Sequence, residues 1–316
     1  MSEETFNVIL SDKDNFLFTS VDKVLKVKLK ETIKSGKSGD SVFKIKCDDK
    51  DCILKIFKKN QKREKDEINS HLKFSTFYKD SEYKPFPIMY YYGSLYGEFA
   101  NNKLNDRLYI IMEMVESFEL DDYISLICKE KVKANHLELL NIILQLFYII
   151  GIAQYNSLSH CDLHTKNIML VKNNKKIKIS LFDVIGENRH IEIGSYIVKI
   201  IDFGLASHLC EKIRTTSQTL NSLKFLCGSY PNLIELLKGE LGLDIEYKNV
   251  DINFFCRIIE IMMLFDKELE EIDILYLWRQ SINMYKIDSS KMNESSKKRY
   301  KQKLFRRMYY EITDHN

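Results

Sequence analysis

Apolar positions in the first third of the chain fall in short runs separated by turn residues. Val24, Val27 and Leu29 precede a turn at Ser35-Gly36-Lys37-Ser38-Gly39-Asp40. Val42, Phe43 and Ile45 follow it, and a second turn at residues 47–51 leads into Ile53-Leu54-Lys55-Ile56-Phe57. Residues 61–78 are charged, with Ile68, His71, Leu72 and Phe74 at helical spacing, which predicts one helix. Residues 87–115 give two more strands, the second ending in Leu108-Tyr109-Ile110-Ile111-Met112. From about 119 the apolar period is mostly helical, with β-rich patches around 158–204 as the exception. The pattern predicts an α+β fold, with a small antiparallel sheet and one helix over about 20–115 and a larger, mainly α-helical part over about 116–316. No internal repeat or low-complexity linker interrupts it. A ligand cleft is expected where the two parts meet.

The greasiest stretch, residues 139–153, is broken by Asn141 and Gln145 and falls short of the ~20 residues of a membrane span, so a buried helix is expected. With 316 residues, 45% apolar and 29% charged, the chain has the composition of a globular protein. A net charge of +3 argues against a nucleic-acid partner. Seven scattered cysteines without a C-x-x-C pair read as reduced thiols. The acidic start, Met1-Ser2-Glu3-Glu4-Thr5, lacks the order of a signal peptide, and a cytoplasmic location is expected. The cationic run at 297–307, with apolar residues interleaved, reads as a solvated last helix rather than a nucleic-acid or membrane contact.

Two segments carry the candidate chemistry. One is His160-Cys161-Asp162-Leu163-His164-Thr165-Lys166-Asn167. The other is Asp202-Phe203-Gly204, entered from the apolar Ile197-Val198-Lys199-Ile200-Ile201. Two aspartates and an asparagine at such points supply hard oxygen ligands for Mg²⁺ and a carboxylate able to take a hydroxyl proton, which is what phosphoryl transfer needs.

These segments resemble the catalytic loop H-R-D-L-x-x-x-N and the D-F-G of the eukaryotic-like protein kinase superfamily. The resemblance runs from about residue 33 to 265. It implies a bilobal fold over 1–316 as a single domain, use of ATP and Mg²⁺, protein substrates, and serine/threonine protein kinase activity. It makes Asp162 the base, and Asn167 and Asp202 the metal ligands. Lys166 stands where tyrosine kinases place an arginine, and would neutralise the γ-phosphate. Lys55 takes the place of the V-A-I-K lysine on the α/β-phosphates, with Glu67 as its partner and Glu64 as the alternative. Met112-Glu113-Met114-Val115 resembles the hinge. There the backbone near Glu113 and Val115 would meet adenine, with Met112 behind it and Glu119 on the ribose. Glu119 is equally well read as an acid at a helix N-terminus.

Gly36, Gly39 and Val42 would form the phosphate-covering turn. Aligned on Val42, however, the glycine positions of G-x-G-x-x-G-x-V fall on Ser35, Lys37 and Asp40, so an ordinary hairpin turn remains open. Cys161 replaces the arginine that pairs with a phosphorylated activation segment, which implies activity independent of that phosphate. Asn167 and Asp202 are further apart than is usual in the family, and residues 172–178 and 182–190 look like an inserted hairpin or surface loop. Cys227-Gly228-Ser229 with Glu235, and Asp251 to Glu260, resemble the end of the activation segment and the central helix of protein kinases. The Asp-Leu-His-x-x-Asn run resembles kinases of large DNA viruses and the haspin-like branch, which would place the protein in host cytoplasm or a virion. Two other classes stay open. Small-molecule kinases of the aminoglycoside or choline type share H-x-D-L-H-x-x-N, and a pseudokinase scaffold would be consistent with the weak glycine turn. The chain carries no reading of oligomeric state.

Overall fold

The computed structural model describes residues 2–206, apart from short breaks at 13, 34–38, 59–61, 79–80, 130–132, 134, 157 and 205, together with 259, 276–277 and 293–313. It divides into two units, Met1–Lys79 with Phe86–Glu116, and Asp80–Pro85 with Ser117–Asn316.

The first unit contains β1 (Ser2–Asp12), β2 (Asn15–Thr19), β3 (Val24–Ile33), β4 (Ser41–Cys47), β5 (Lys50–Ile56), α1 (Lys62–Thr76), β6 (Met89–Phe99) and β7 (Asn102–Glu113). The strands close into a barrel in the order β1-β2-β3-β4-β5-β7-β6. All neighbours are antiparallel except β1 and β6, which run parallel. This corrects the expected small antiparallel sheet beginning near residue 20. The two strands before that point are needed for closure, which removes exposed sheet edges. Phe6, Phe16, Phe18, Phe43, Phe99 and Tyr109 fill the interior. Phe16 and Phe43 lie against Phe99 with ring centroids 4.3 and 5.1 Å apart. Burying each such ring contributes roughly 1.5–3 kcal/mol. Gly93 and Gly97 permit the parallel seam. They hold φ of +143° and +102°, and a Cβ there would meet the backbone oxygens of Glu4 at 2.1 Å and Val8 at 2.5 Å.

Strand alternation decides what each face carries. On β5, Cys52, Leu54 and Ile56 point into the barrel, so Lys55 projects from the outer face. On that side α1 packs Ile68 and Leu72 against Phe57, Met89, Leu108 and Ile110.

The second unit contains β8 (Phe118–Glu119), α2 (Leu120–Cys128), α3 (His136–Tyr155), a 3-10 turn (Thr165–Asn167), β9 (Ile168–Lys172), β10 (Lys178–Ser180), α4 (Phe182–Ile185), β11 (His190–Glu192), β12 (Tyr196–Ile200) and α5 (Glu294–Thr313). Strands β12-β9-β8 form one small sheet and β10-β11 another. Helix α3 is long and apolar enough to cross a membrane by length and composition alone, but most of the stretch His136–Ala153 is buried within this unit. The two polar residues that interrupt it peg it to its neighbours. The Gln145 amide donates to Tyr196 O and accepts from Val198 N, both at 2.8 Å, while Asn141 donates to Glu192 O and accepts from Gly194 N at 2.6 and 2.9 Å.

The segment between Asn167 and Asp202 holds the hairpin β10-β11 with α4 set inside it. It is not a plain surface loop, because Ile179, Val184, Ile185 and Ile191 are buried. Helix α5 corrects the expectation of a solvated helix. Leu304, Phe305, Met308, Ile312 and even Lys301 are buried, and Glu187 accepts from Arg306 at 3.1 Å and from Tyr310 at 2.6 Å. The expected activation-segment end (227–237) lies outside the described residues, and so does the central-helix motif (251–260) except for Ile259.

Candidate functional site

Each unit brings together its own set of sequence-predicted residues. In the first, Lys55 Nζ bonds Glu67 Oε1 at 2.5 Å and lies 4.9 Å from the centroid of the Phe57 ring. Of the two acids expected for this lysine, Glu67 makes the pair. One turn further along α1, the buried His71 donates from Nε2 to Pro87 O at 2.8 Å. Burial pushes its pKa down to about 4, and Lys55 adds to the effect, so the ring is neutral and holds α1 to the chain entering β6.

Val42 pairs directly with Lys55 across β4 and β5. Gly39 sits at φ +76°, as the turn requires, and Gly36 lies outside the described residues. Asp40 ends the turn before β4 and falls on the third glycine position of the kinase pattern. In the structure it is buried, accepts the Lys58 N–H at 3.0 Å through Oδ1, and sets Oδ2 3.8 Å from Lys55 Nζ. The signal was available once β4 and β5 were taken as a hairpin, since Asp40 directly precedes a strand paired with that of Lys55. At the end of β7, Met112 pairs with Met89 and Ile53. Glu113 donates its N–H to Ile88 O at 2.8 Å and accepts the Ile88 N–H on its carboxylate at 3.0 Å. A base at this edge therefore has no free N–H from Glu113. Val115 follows β7 in irregular, half-buried chain.

In the second unit the catalytic-loop segment and the D-F-G segment are joined by backbone and side chain. Ile201 donates its N–H to Asn167 O at 2.9 Å, and His160 donates from Nε2 to Ile201 O at 3.1 Å. The His160 ring packs on Phe203, with centroids 5.3 Å apart, and burial depresses its pKa to about 4. His160 is thus a neutral peg under the loop. Asn167, itself buried, donates from Nδ2 to the Asp162 carbonyl at 3.0 Å. Asp162 Oδ1 is buried without a hydrogen-bond partner. Burial, then the neighbouring Asp202 carboxylate, raises the Asp162 pKa to about 6. Asp202 is exposed, and its Oδ1 accepts the Gly204 N–H at 3.2 Å. Cys161 and Asp202 both hold φ of +64°, a strained conformation for side chains of this kind.

Lys166 is exposed on the 3-10 turn. Thr165 beside it donates to Asp121 Oδ1 at 2.5 Å and ties the loop to the start of α2, a contact no sequence pattern pointed to. Glu119 sits at the N-cap of α2 without a side-chain cap bond. Burial raises its pKa, helped by Asp122 and opposed by Lys166. Among the described residues no three His, Cys, Asp or Glu side chains gather as a metal cluster. The donors on offer are the Asp202 carboxylate and the Asn167 amide oxygen. That set fits Mg²⁺, which takes one or two protein oxygens and completes its shell with phosphate and water.

The family model for the protein kinase domain matches residues 27–227, more than half of the chain. The chain belongs to the protein kinase domain family. No curated protein matches it. Membership in the protein kinase family supports phosphoryl transfer from ATP to protein, with a divalent metal. The match begins inside β3, so β1 and β2 lie before it although they complete the barrel.

Proposed function

We propose that this protein transfers the γ-phosphoryl group of ATP to serine and threonine hydroxyls of protein substrates. The observation that carries this reading is Asp162. Its carboxylate has one buried oxygen without a partner, a proton affinity raised toward neutrality, and a backbone braced by Asn167. A base of that kind accepts the substrate hydroxyl proton as the oxygen attacks phosphorus. In this reading Asn167 and Asp202 hold Mg²⁺, which neutralises phosphate charge. Lys55, oriented by Glu67, holds the α/β-phosphates under the turn of Gly39 and Val42. Lys166 faces the γ-phosphate, and Met112, Val115 and Glu119 serve adenine and ribose. The two units correspond to the small and large lobes of one kinase domain, and the site of action is the cytoplasm.

One observation favours a second reading, a nucleotide-binding scaffold: Asp40 stands at Lys55 where the family has glycine. Incubation with labelled ATP, Mg²⁺ and casein, myelin basic protein and histones, with Asp162→Ala as control, separates the readings. Label on serine or threonine that disappears in the variant supports the kinase. Thermal stabilisation by nucleotide without transfer supports the scaffold, and label on small hydroxylated compounds alone would indicate a small-molecule kinase.

A further inference from the structure

Lys55 faces two carboxylates. Glu67 makes the closer pair at 2.5 Å, and Asp40 sets a second carboxylate 3.8 Å from the same ammonium. The side chains of all three are at least 85% buried (15%, 11% and 9% exposed), so water screens their interactions only partly. Asp40 is also fixed in place. Its Oδ1 is held by the Lys58 N–H at 3.0 Å, just past the end of β5, and this bond leaves Oδ2 on the side of Lys55. The Gly39 turn at φ +76° delivers it there.

We infer that Asp40 competes with nucleotide phosphate for Lys55 and so restrains the binding of nucleoside di- and triphosphates. The inference rests on the reading above that Lys55 is a phosphate ligand. A phosphate oxygen approaching the ammonium must displace or tolerate a carboxylate already beside it, and like charges at such range repel. The penalty falls on phosphates only, so it leaves affinity for the uncharged nucleoside unchanged. Asp40 is a positioning residue that acts through Lys55.

The test compares the affinities of ATP, ADP and adenosine for the full chain and three variants. Asp40→Asn keeps the oxygen that accepts from Lys58 while removing the charge. Asp40→Ser is a second, smaller neutral cap in case the first does not fold. Lys55→Met removes the phosphate ligand. The expected result is ATP and ADP binding about tenfold tighter in Asp40→Asn, shrinking as salt rises, with adenosine affinity unchanged. A matching fall in KM for ATP without a rise in kcat is expected from the same cause. If Asp40→Asn and Asp40→Ser bind ATP no tighter while Lys55→Met binds it more weakly, the competition is refuted and the role of Lys55 stands. If Lys55→Met leaves ATP affinity unchanged, the reading of Lys55 fails and takes the inference with it. Equal tightening for adenosine would show a general change of shape, and would also refute the charge argument.

Discussion

Asp162 shows how far one residue's surroundings set its chemistry. Its pKa is lifted from an ordinary 3.8 to about 6 by burial and by Asp202. As the proposed base, Asp162 must be ionised, so the rate is expected to rise with pH through a value above the ordinary 3.8 and, with Mg²⁺ on Asp202, below that of the metal-free protein, as a pH–rate profile would show. The same shift opposes folding at neutral pH. The folded state holds the proton more tightly than the unfolded chain, so the carboxyl's contribution is fully present below its ordinary value and is lost as pH rises toward 6. In metal-free protein Asp162→Asn should therefore be more stable than the parent at pH 7, by on the order of 1 kcal/mol after allowance for partial exposure. The difference should vanish near pH 4; equal melting temperatures at both pH values would contradict this account. Asp202→Asn should abolish transfer and leave the far-ultraviolet dichroism unchanged. Undiminished activity would remove Asp202 from the metal. That Asp162 and Asp202 belong to the two kinase motifs was legible in the sequence, because motif spacing names them. The role of Thr165 was not, since it arises from a loop-to-helix contact that no local pattern encodes, and the place of Asp40 beside Lys55 follows only once β4 and β5 are paired as a hairpin.

At the scale of elements, the hairpin β1-β2 is the feature the apolar pattern hid. Phe6 and Val8 alternate properly, but Ile9 and Leu10 follow at once and are 52% and 61% exposed, which blurs the two-residue period. The parallel pairing of β1 with β6 joins Ser2 to Tyr91 and Val8 to Gly97, a separation beyond any local signal. Closure makes these strands part of the core. Phe18→Ala, at a fully buried ring, is expected to cost about 3–5 kcal/mol in denaturant unfolding. Val21→Ala, at a side chain 99% exposed, should cost nothing measurable. Similar midpoints for the two variants would mean that the hairpin does not share the barrel's cooperative core. The predicted strands β3 to β7 and helix α1 were readable because each has its own period and turns. The cationic run of α5 was legible as a largely solvated face, but not the buried face of its interleaved apolar residues, where Leu304, Phe305, Met308 and Ile312 pack against the rest of the unit.

For the whole molecule, Cys161 in the arginine position predicts that phosphatase treatment leaves activity unchanged. A large loss of activity would overturn this, and Thr215, Thr216 and Ser217, outside the described residues, would be the first phosphosites to map. The sequence by itself determined the α+β composition, the family, and the residue types available for phosphoryl transfer. Those follow from local periodicity and from short motifs whose members are close along the chain. Only the tertiary structure decided that the first sheet closes on itself, that Glu67 and Asp40 both meet Lys55, and that Asp162 is poised near neutrality. Each of these depends on distances between residues far apart in sequence, and on how much water remains beside a charge. A linear pattern contains neither quantity until the chain has folded.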